Sequence, residues 1–215
     1  MALSIHSFQF NAFQENTFVV WDQEKNCVII DPGCYDRKEQ QELLAFISEN
    51  DLKPRALLNT HAHIDHVLGN AFVLHSFQVD YYLHKEDIVT LKSIDSYAHV
   101  YGFEGYQSSP QPNIYLEDNQ LLQFGKIKIN VYHTPGHAPG HVVFHFKEDN
   151  FVVNGDVLFQ GSFGRVDLPG GDLETLKKSI FEKMFQLPED TIVYCGHGPE
   201  TTIGREKKYN YIHQF

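Results

Sequence analysis

Four side chains able to hold a metal ion crowd into Thr60-His61-Ala62-His63-Ile64-Asp65-His66, directly after the apolar run Ala56-Leu57-Leu58. Nothing else in the chain constrains its fold as tightly. Imidazole and carboxylate suit borderline cations such as zinc. Where a strand ends, residues two apart point to the same side, so His61 and His63 can grip one cation together. Asp65 and His66 follow one turn later, as the chain bends into a helix, and can face a second cation nearby. A buried strand must therefore stop at this cluster, at an edge where other ligands can join it.

The pattern around the cluster predicts an α/β protein. Short apolar or alternating runs predict strands over 3–10, 16–21 and 27–30, after which Asp31-Pro32-Gly33 breaks the sheet pattern. Leu43, Leu44, Phe46 and Ile47 sit at helical spacing within 38–50. A buried strand over 55–59 leads into the histidines, a helix over 67–77 follows, then a strand over 79–83 and a short helix over 86–91. Residues 93–117 carry Tyr97, Tyr101, Phe103 and Tyr106 with weak periodicity, which fits a lid or binding loop as well as a packed connector or a subunit contact. The later half repeats the arrangement. Runs at 121–124 and 127–133 read as a hairpin, 142–146 and 151–154 as strands, and 191–195 as the last strand. Asp172 is placed to cap a helix over 173–185. Strands with helices outside them, in two comparable halves, imply a four-layer αββα sandwich. Residues 1–215 read as a single domain, with neither an internal repeat nor a Pro/Ser-rich linker.

Composition narrows the function. A chain of 215 residues, 42% hydrophobic, can bury a proper core. Its formal net charge of −11 argues against nucleic acid, which calls for basic stripes. No run approaches the roughly 18 apolar residues of a membrane span, and the first residues lack the pattern of a secretion signal. The expectation is a cytoplasmic protein that binds neither membrane nor nucleic acid; composition leaves its oligomeric state open. Cys27, Cys34 and Cys195 are odd in number and scattered, which speaks against a disulfide framework. Cys195 reads as a small buried hydrophobe rather than a ligand.

Three more segments carry ligand candidates. Thr134-Pro135-Gly136-His137 follows one strand, Asn154-Gly155-Asp156 ends another, and Cys195-Gly196-His197-Gly198 ends the last. Each candidate thus sits at a strand terminus or the turn beyond it, where scaffolds display functional groups. His141 shares a turn with His137 and suits a supporting role. Arg165 and Asp167 either orient the metal shell or pair with each other. The basic cluster Arg205, Lys207 and Lys208 either meets the carboxylates of an anionic substrate or forms a solvated helix face.

Taken with the heptapeptide, Thr134-Pro135-Gly136-His137, Gly155-Asp156 and Gly196-His197-Gly198 resemble the metallo-β-lactamase fold superfamily, in order and spacing along essentially the whole chain. Thr134 through His141, Gly164-Arg165-Val166-Asp167 and Gly198 through Glu206 look like its glyoxalase II-like branch. The resemblance is to the short form of that branch, without the long helical extension that binds glutathione. It implies a first metal on His61, His63 and His137, a second on Asp65, His66 and His197, and Asp156 bridging both. Two divalent cations are expected, zinc first, with iron or manganese as alternatives.

The activity implied is hydrolysis of a thioester, hydroxyacylglutathione or a related small acyl-thiol, by hydroxide shared between the cations. Asp65 would both ligate and orient that nucleophile. A departing thiolate, with an intrinsic pKa of about 8.5, needs little help from a general acid, which suits thioesters better than lactams. The rival reading is a persulfide dioxygenase on the same fold, with one Fe(II) on His61, His137 and Asp156.

Overall fold

In the computed structural model, which describes residues 2–215, apolar strands assemble two six-stranded sheets. The first runs β1 (Ser4–Phe10), β2 (Glu15–Trp21), β3 (Asn26–Ile30), β4 (Lys53–Leu58), β5 (Asp80–His84) and β6 (Ile114–Leu116), in that spatial order. Strands β1 to β3 pair antiparallel, and β3 to β6 pair parallel. Parallel neighbours need long crossovers. Those crossovers carry α1 (Arg37–Glu49), α2 (Ile64–Val67), α3 (Asn70–Phe77) and α4 (Ile88–Tyr97). The second half supplies β7 (Leu121–Phe124), β8 (Ile127–His133), β9 (Val142–Phe146) and β10 (Phe151–Val153). A small hairpin of β11 (Leu158–Phe159) and β12 (Ser162–Phe163) follows, then α5 (Leu173–Glu182), β13 (Ile192–Tyr194), β14 (Thr201–Thr202) and α6 (Ile203–Tyr209). The second sheet has the order β14-β13-β10-β9-β8-β7.

Alternation along the strands divides the interior into three apolar layers. Val19, Ile29 and Leu57 face outward onto Leu43 and Ile47 of α1 and Val73 of α3. Their neighbours Val20, Val28, Ile30 and Leu58 face inward and meet Ile129, Val131, Val142 and Phe144 of the second sheet. Val143, Val152 and Val193 point to the far side, under Leu176 and Ile180 of α5 and Ile203 of α6. Helix, sheet, sheet, helix is the expected four-layer sandwich. The strands nearest its middle are apolar on both faces because both faces are covered. Among the described residues no helix is long and apolar enough to cross a membrane. All three cysteines are free and buried.

Local chemistry sets the helix ends. Asp36 caps α1 by accepting from the Lys38 and Glu39 amides, while Glu39 reaches back to the Asp36 amide. Asp172 accepts from the Thr175 amide at 2.8 Å and caps α5, as its position suggests.

Three stretches differ from the sequence expectation. The helix over 67–77 is broken into α2 and α3 at Gly69, whose amide donates to the Pro32 carbonyl at 2.7 Å. A Cβ on Gly69 would lie 2.5 Å from Cys34 Sγ and 2.8 Å from Pro32 O, so the backbone passes where no side chain fits. Residues 93–101 are not loop: α4 continues to Tyr97 and a 3₁₀ turn spans Ala98–Tyr101. Leu91, Ile94 and Ala98 form the buried stripe of that segment, a helical spacing hidden by the aromatic residues among them. The helix over 173–185 stops at Glu182 and tightens into a 3₁₀ turn at Met184–Gln186.

Two outcomes follow for stability. Gly69→Ala forces a side chain into filled space and is expected to cost about 1–3 kcal/mol, measured as a lower urea midpoint. Burial pushes His84 and His145 down to about 4. The unfolded chain protonates these rings first, near 6.5, so stability is full above that value and falls as pH drops toward 4. Urea titrations at pH 7 and pH 5 should show that loss, and His145→Gln should shrink it.

Candidate metal centre

Strand β3 ends in Asp31, which takes a left-handed φ of 48° and turns its carboxylate back under the end of β4. Oδ1 accepts the Thr60 amide at 2.7 Å, and Oδ2 accepts the Thr60 hydroxyl at 2.6 Å and His66 Nδ1 at 3.1 Å. An ionised carboxylate only accepts, so His66 carries its proton on Nδ1 and turns Nε2 inward. With its one proton committed to Asp31, the Thr60 hydroxyl accepts from His61 Nδ1 at 3.0 Å. His61 Nε2 is thereby left as a bare lone pair. His137 Nδ1 donates to the Arg165 carbonyl at 2.7 Å and His197 Nδ1 to the Phe13 carbonyl at 3.2 Å. Four rings thus have Nε2 aimed at the centre by a partner on Nδ1. His63 is turned the other way, with Nδ1 2.8 Å from His137 Nε2.

The inward atoms form two groups. One donor atom each from His61, His63 and His137 lie within 4.8 Å of one another, as do those of Asp65, His66 and His197. Asp156 stands between the groups. Its Oδ2 is 3.5 Å from His137 Nε2 and 3.6 Å from His197 Nε2, and its Oδ1 is 3.6 Å from His66 Nε2. His141 holds Asp156 in place, its Nε2 accepting the Asp156 amide at 3.1 Å. Gly196 lets the last strand come close, because a Cβ there would overlap Asp156 Oδ1.

Electrostatics inside the centre favour positive charge. Burial, then the neighbouring imidazoles, drives His61 well below its ordinary value; burial and His137 take His63 to about 3. Burial acts on His66 in the same sense, yet Asp65 and Asp156 outweigh it and raise that ring well above the usual range. Burial opposes ionisation of Asp156 and Asp65, but His66 beside both holds them below the usual carboxylate range. At neutral pH the ionised carboxylates therefore face neutral rings at His61, His63 and His137. They also face a His66 ring that the same carboxylates favour in its protonated form, the positive charge that a bound cation would replace.

A divalent cation fits this set. His61 Nε2, His66 Nε2 and Asp156 Oδ1 are buried without a hydrogen-bond partner. Leaving such atoms unpaired costs about 1–3 kcal/mol each. All three face one small space lined by nitrogen and carboxylate oxygen, the donors that zinc, iron and manganese accept.

Remote segments hold the parts together. Asp87, pushed up to about 6 by burial, accepts the Ala62 amide and the Gly140 amide, each at 2.7 Å, and so ties the heptapeptide to the His137 turn. Asn16 joins the two halves: its amide donates to Gly196 O at 2.7 Å and its side chain to Cys195 O and Gly198 O. Asn11 donates to the Asp65 carbonyl at 3.0 Å. Sequence reading missed these residues. Asp31 had only a weak signal, its place in a turn after a strand, and Asp87 and Asn16 had none.

Other candidates are placed elsewhere. Arg205, Lys207 and Lys208 lie on α6 and none lines the cleft over the centre; Lys207 stands 3.6 Å from Glu189 and Arg205 3.6 Å from the buried Glu206. The cation on the cleft wall is Arg165, paired with Asp167 at 2.7 Å. In that loop the Arg165 guanidinium pairs with Asp167, and the Arg165 carbonyl accepts from His137 Nδ1. Cys195 is buried, with its thiol pushed up to about 12 by burial. His84, Glu86 and His133 make a further cluster, in which His84 stacks on His133 and His133 Nε2 donates to the Pro139 carbonyl.

Comparison with known proteins matches residues 10–197 to the family described as the metallo-beta-lactamase superfamily. The chain is 37% identical over 209 residues to hydroxyacylglutathione hydrolase GloC of Haemophilus influenzae, covering 97% of each protein. Among solved structures it is similar to BLEG-1 B3 metallo-beta-lactamase, with a TM-score of 0.88 and 35% identity over 97% of this chain and 98% of that one. It is likewise similar to TTHA1623 in a di-iron-bound form, with a TM-score of 0.85 and 39% identity over 96% of this chain and 98% of that one.

Asp31 touches no inward-facing atom, yet it orients two of the rings. Asp31→Asn should therefore weaken retention of divalent metal about 10- to 100-fold, read by competition with a chromogenic chelator.

Proposed function

The chain belongs to the metallo-beta-lactamase superfamily and is a metallo-hydrolase of that family, and we propose that the bond it cleaves is a thioester. The observation that carries this reading is the position of Asp156 between two trios of donor atoms, His61, His63 and His137 on one side and Asp65, His66 and His197 on the other. Full-length similarity to a hydroxyacylglutathione hydrolase supports it. In this reading each trio would hold one divalent cation and Asp156 would serve both, within one domain over residues 1–215. Zinc is the first choice. Iron is the competitor, since it occupies the similar TTHA1623 structure.

Bound cations supply two things: they bring the pKa of water from 15.7 to about 7, and they polarise the carbonyl under attack. The protein's own groups do the rest. Asp31, directly on His66 and through the Thr60 hydroxyl on His61, and the Arg165 and Phe13 carbonyls on His137 and His197 keep these four rings presenting Nε2. Asp65 Oδ2 lies 3.1 Å from His197 Nε2 at the open side of the centre. Held ionised, Asp65 can accept a hydrogen bond from the attacking water and aim it at the carbonyl carbon. The leaving thiolate, with an intrinsic pKa of about 8.5, departs without a proton donor. An amide nitrogen would need one, which favours the thioester over the lactam.

A dioxygenase with one Fe(II) on His61, His137 and Asp156 would leave Asp65, His66 and His197 without a task, although they are gathered as closely as the first trio. Two metals per chain and no oxygen uptake with glutathione persulfide would support the hydrolase; one iron with oxygen uptake would replace it. His61→Ala and Asp156→Ala should each lose bound metal, and thioester turnover should fall roughly a thousandfold with it, because several kcal/mol of charge stabilisation go. Full turnover by a metal-free variant would end this reading.

A further inference from the structure

The cleft above the centre encloses about 910 Å³ between two walls that are mostly apolar. One wall is α4 with the 3₁₀ turn after it. This segment buries Leu91, Ile94 and Ala98 on its core side, yet its cleft side shows Val89 and Val100, which remain 78% and 71% exposed. The opposite wall is the β11–β12 hairpin with the loop after it, contributing Phe159, Phe163 and Leu168. Phe13 closes one end and packs edge-on against Tyr101 at 5.7 Å. The apolar surface reaches the centre itself, for the Phe159 ring stands edge-on to His197 at 6.1 Å.

Charge on these walls is sparse, and no cation there stands without a carboxylate partner. Away from the centre the cleft shows Glu86 and Arg165. Arg165 is engaged in a two-pronged, solvent-exposed pair with Asp167, at 2.7 and 2.8 Å. Glu86 lies 3.8 Å from His133 Nε2. The basic residues of α6 are not part of either wall. A carrier recognised through its carboxylates or phosphates would require an unpaired cation here. An apolar group needs none, and burying it against Val89, Val100 and Phe159 is favourable in proportion to the area covered.

We propose that this cleft recognises its thioester through an apolar acyl group, aliphatic or aryl, held between Val89/Val100 and Phe159/Phe163, and not through the charges of the thiol carrier. The inference rests on the thioesterase reading of the site, but its test does not require turnover. The probes are 2-oxoalkyl thioethers of N-acetylcysteamine, in which a methylene separates sulfur from the carbonyl so that no thioester bond remains. Calorimetry on the zinc-loaded protein measures affinity as the alkyl group grows from methyl to pentyl. Affinity should tighten about tenfold or more across that series. In Val89→Asp/Val100→Asp the gain should shrink to less than about threefold, with metal content and thermal midpoint reported beside it. The milder pair Val89→Ser/Val100→Ser should fall between, should the aspartates disturb folding. Replacing the carrier by glutathione at fixed alkyl length should improve affinity less than about threefold, and Arg165→Gln should not change that ratio.

A flat series, a gain that survives both double variants, or a glutathione preference above about tenfold that Arg165→Gln abolishes would overturn the proposal. A steep series with no hydrolysis of any thioester would uphold the apolar-ligand inference and remove the thioesterase reading.

Discussion

A carboxylate that can only accept governs the centre. Asp31 accepts a hydrogen bond each from Thr60 and His66, and Thr60 in turn accepts one from His61. That short chain of donors decides which nitrogen of two rings is bare, and both bare nitrogens face the same space. The Arg165 and Phe13 carbonyls apply the same rule to His137 and His197. Directional hydrogen bonds on the outer nitrogens therefore convert a collection of histidines into an oriented set of lone pairs. Without them the same rings could present either edge.

Two half-structures meet at this point, and each contributes incomplete chemistry. The first sheet brings the heptapeptide and Asp31; the second brings His137, Asp156 and His197 from the ends of β8, β10 and β13. The apolar layer between the sheets supplies the association. Its inward-facing residues, Val28, Ile30 and Leu58 against Val131, Val142 and Phe144, lie just below the centre. Asn16 and Asp87 then align what hydrophobic contact only brings near, since burial has no direction and hydrogen bonds do. Within the second half, Gly196 passes so close to Asp156 that a Cβ there would overlap its Oδ1.

Above this polar set, the surroundings change character within one side-chain length. Helix α4 spends its core-facing residues on the first sheet and still leaves valines toward the cleft, while the hairpin after Asp156 adds aromatic rings. An apolar mouth lowers the local dielectric around the carboxylates and imidazoles, which strengthens their interaction with any charge that enters. It also lets a ligand bind with most of its surface covered. The same stretch, 93–117, looked featureless in sequence because its buried stripe and its cleft-facing residues are interleaved, and a single period describes neither.

The amino-acid sequence by itself determined a good deal. Period-two runs and helical stripes specified most strands and helices, because each must bury one face or both. The spacing of His61, His63, Asp65 and His66 specified a cluster at a strand end, since local geometry alone relates residues so near in the chain. What only the tertiary structure decided is whatever depends on groups remote in sequence. The tautomers follow from Asp31 and two backbone carbonyls, the break at Gly69 from the neighbouring Pro32 and Cys34, and the position of Asp156 from His141 and Gly196. Arg205, Lys207 and Lys208 looked close to the centre because they follow His197 closely. Capped at Thr202, α6 instead carries them away from the cleft. Nearness along a chain becomes nearness in space only where no turn intervenes, and that turn is set by packing against the rest of the fold.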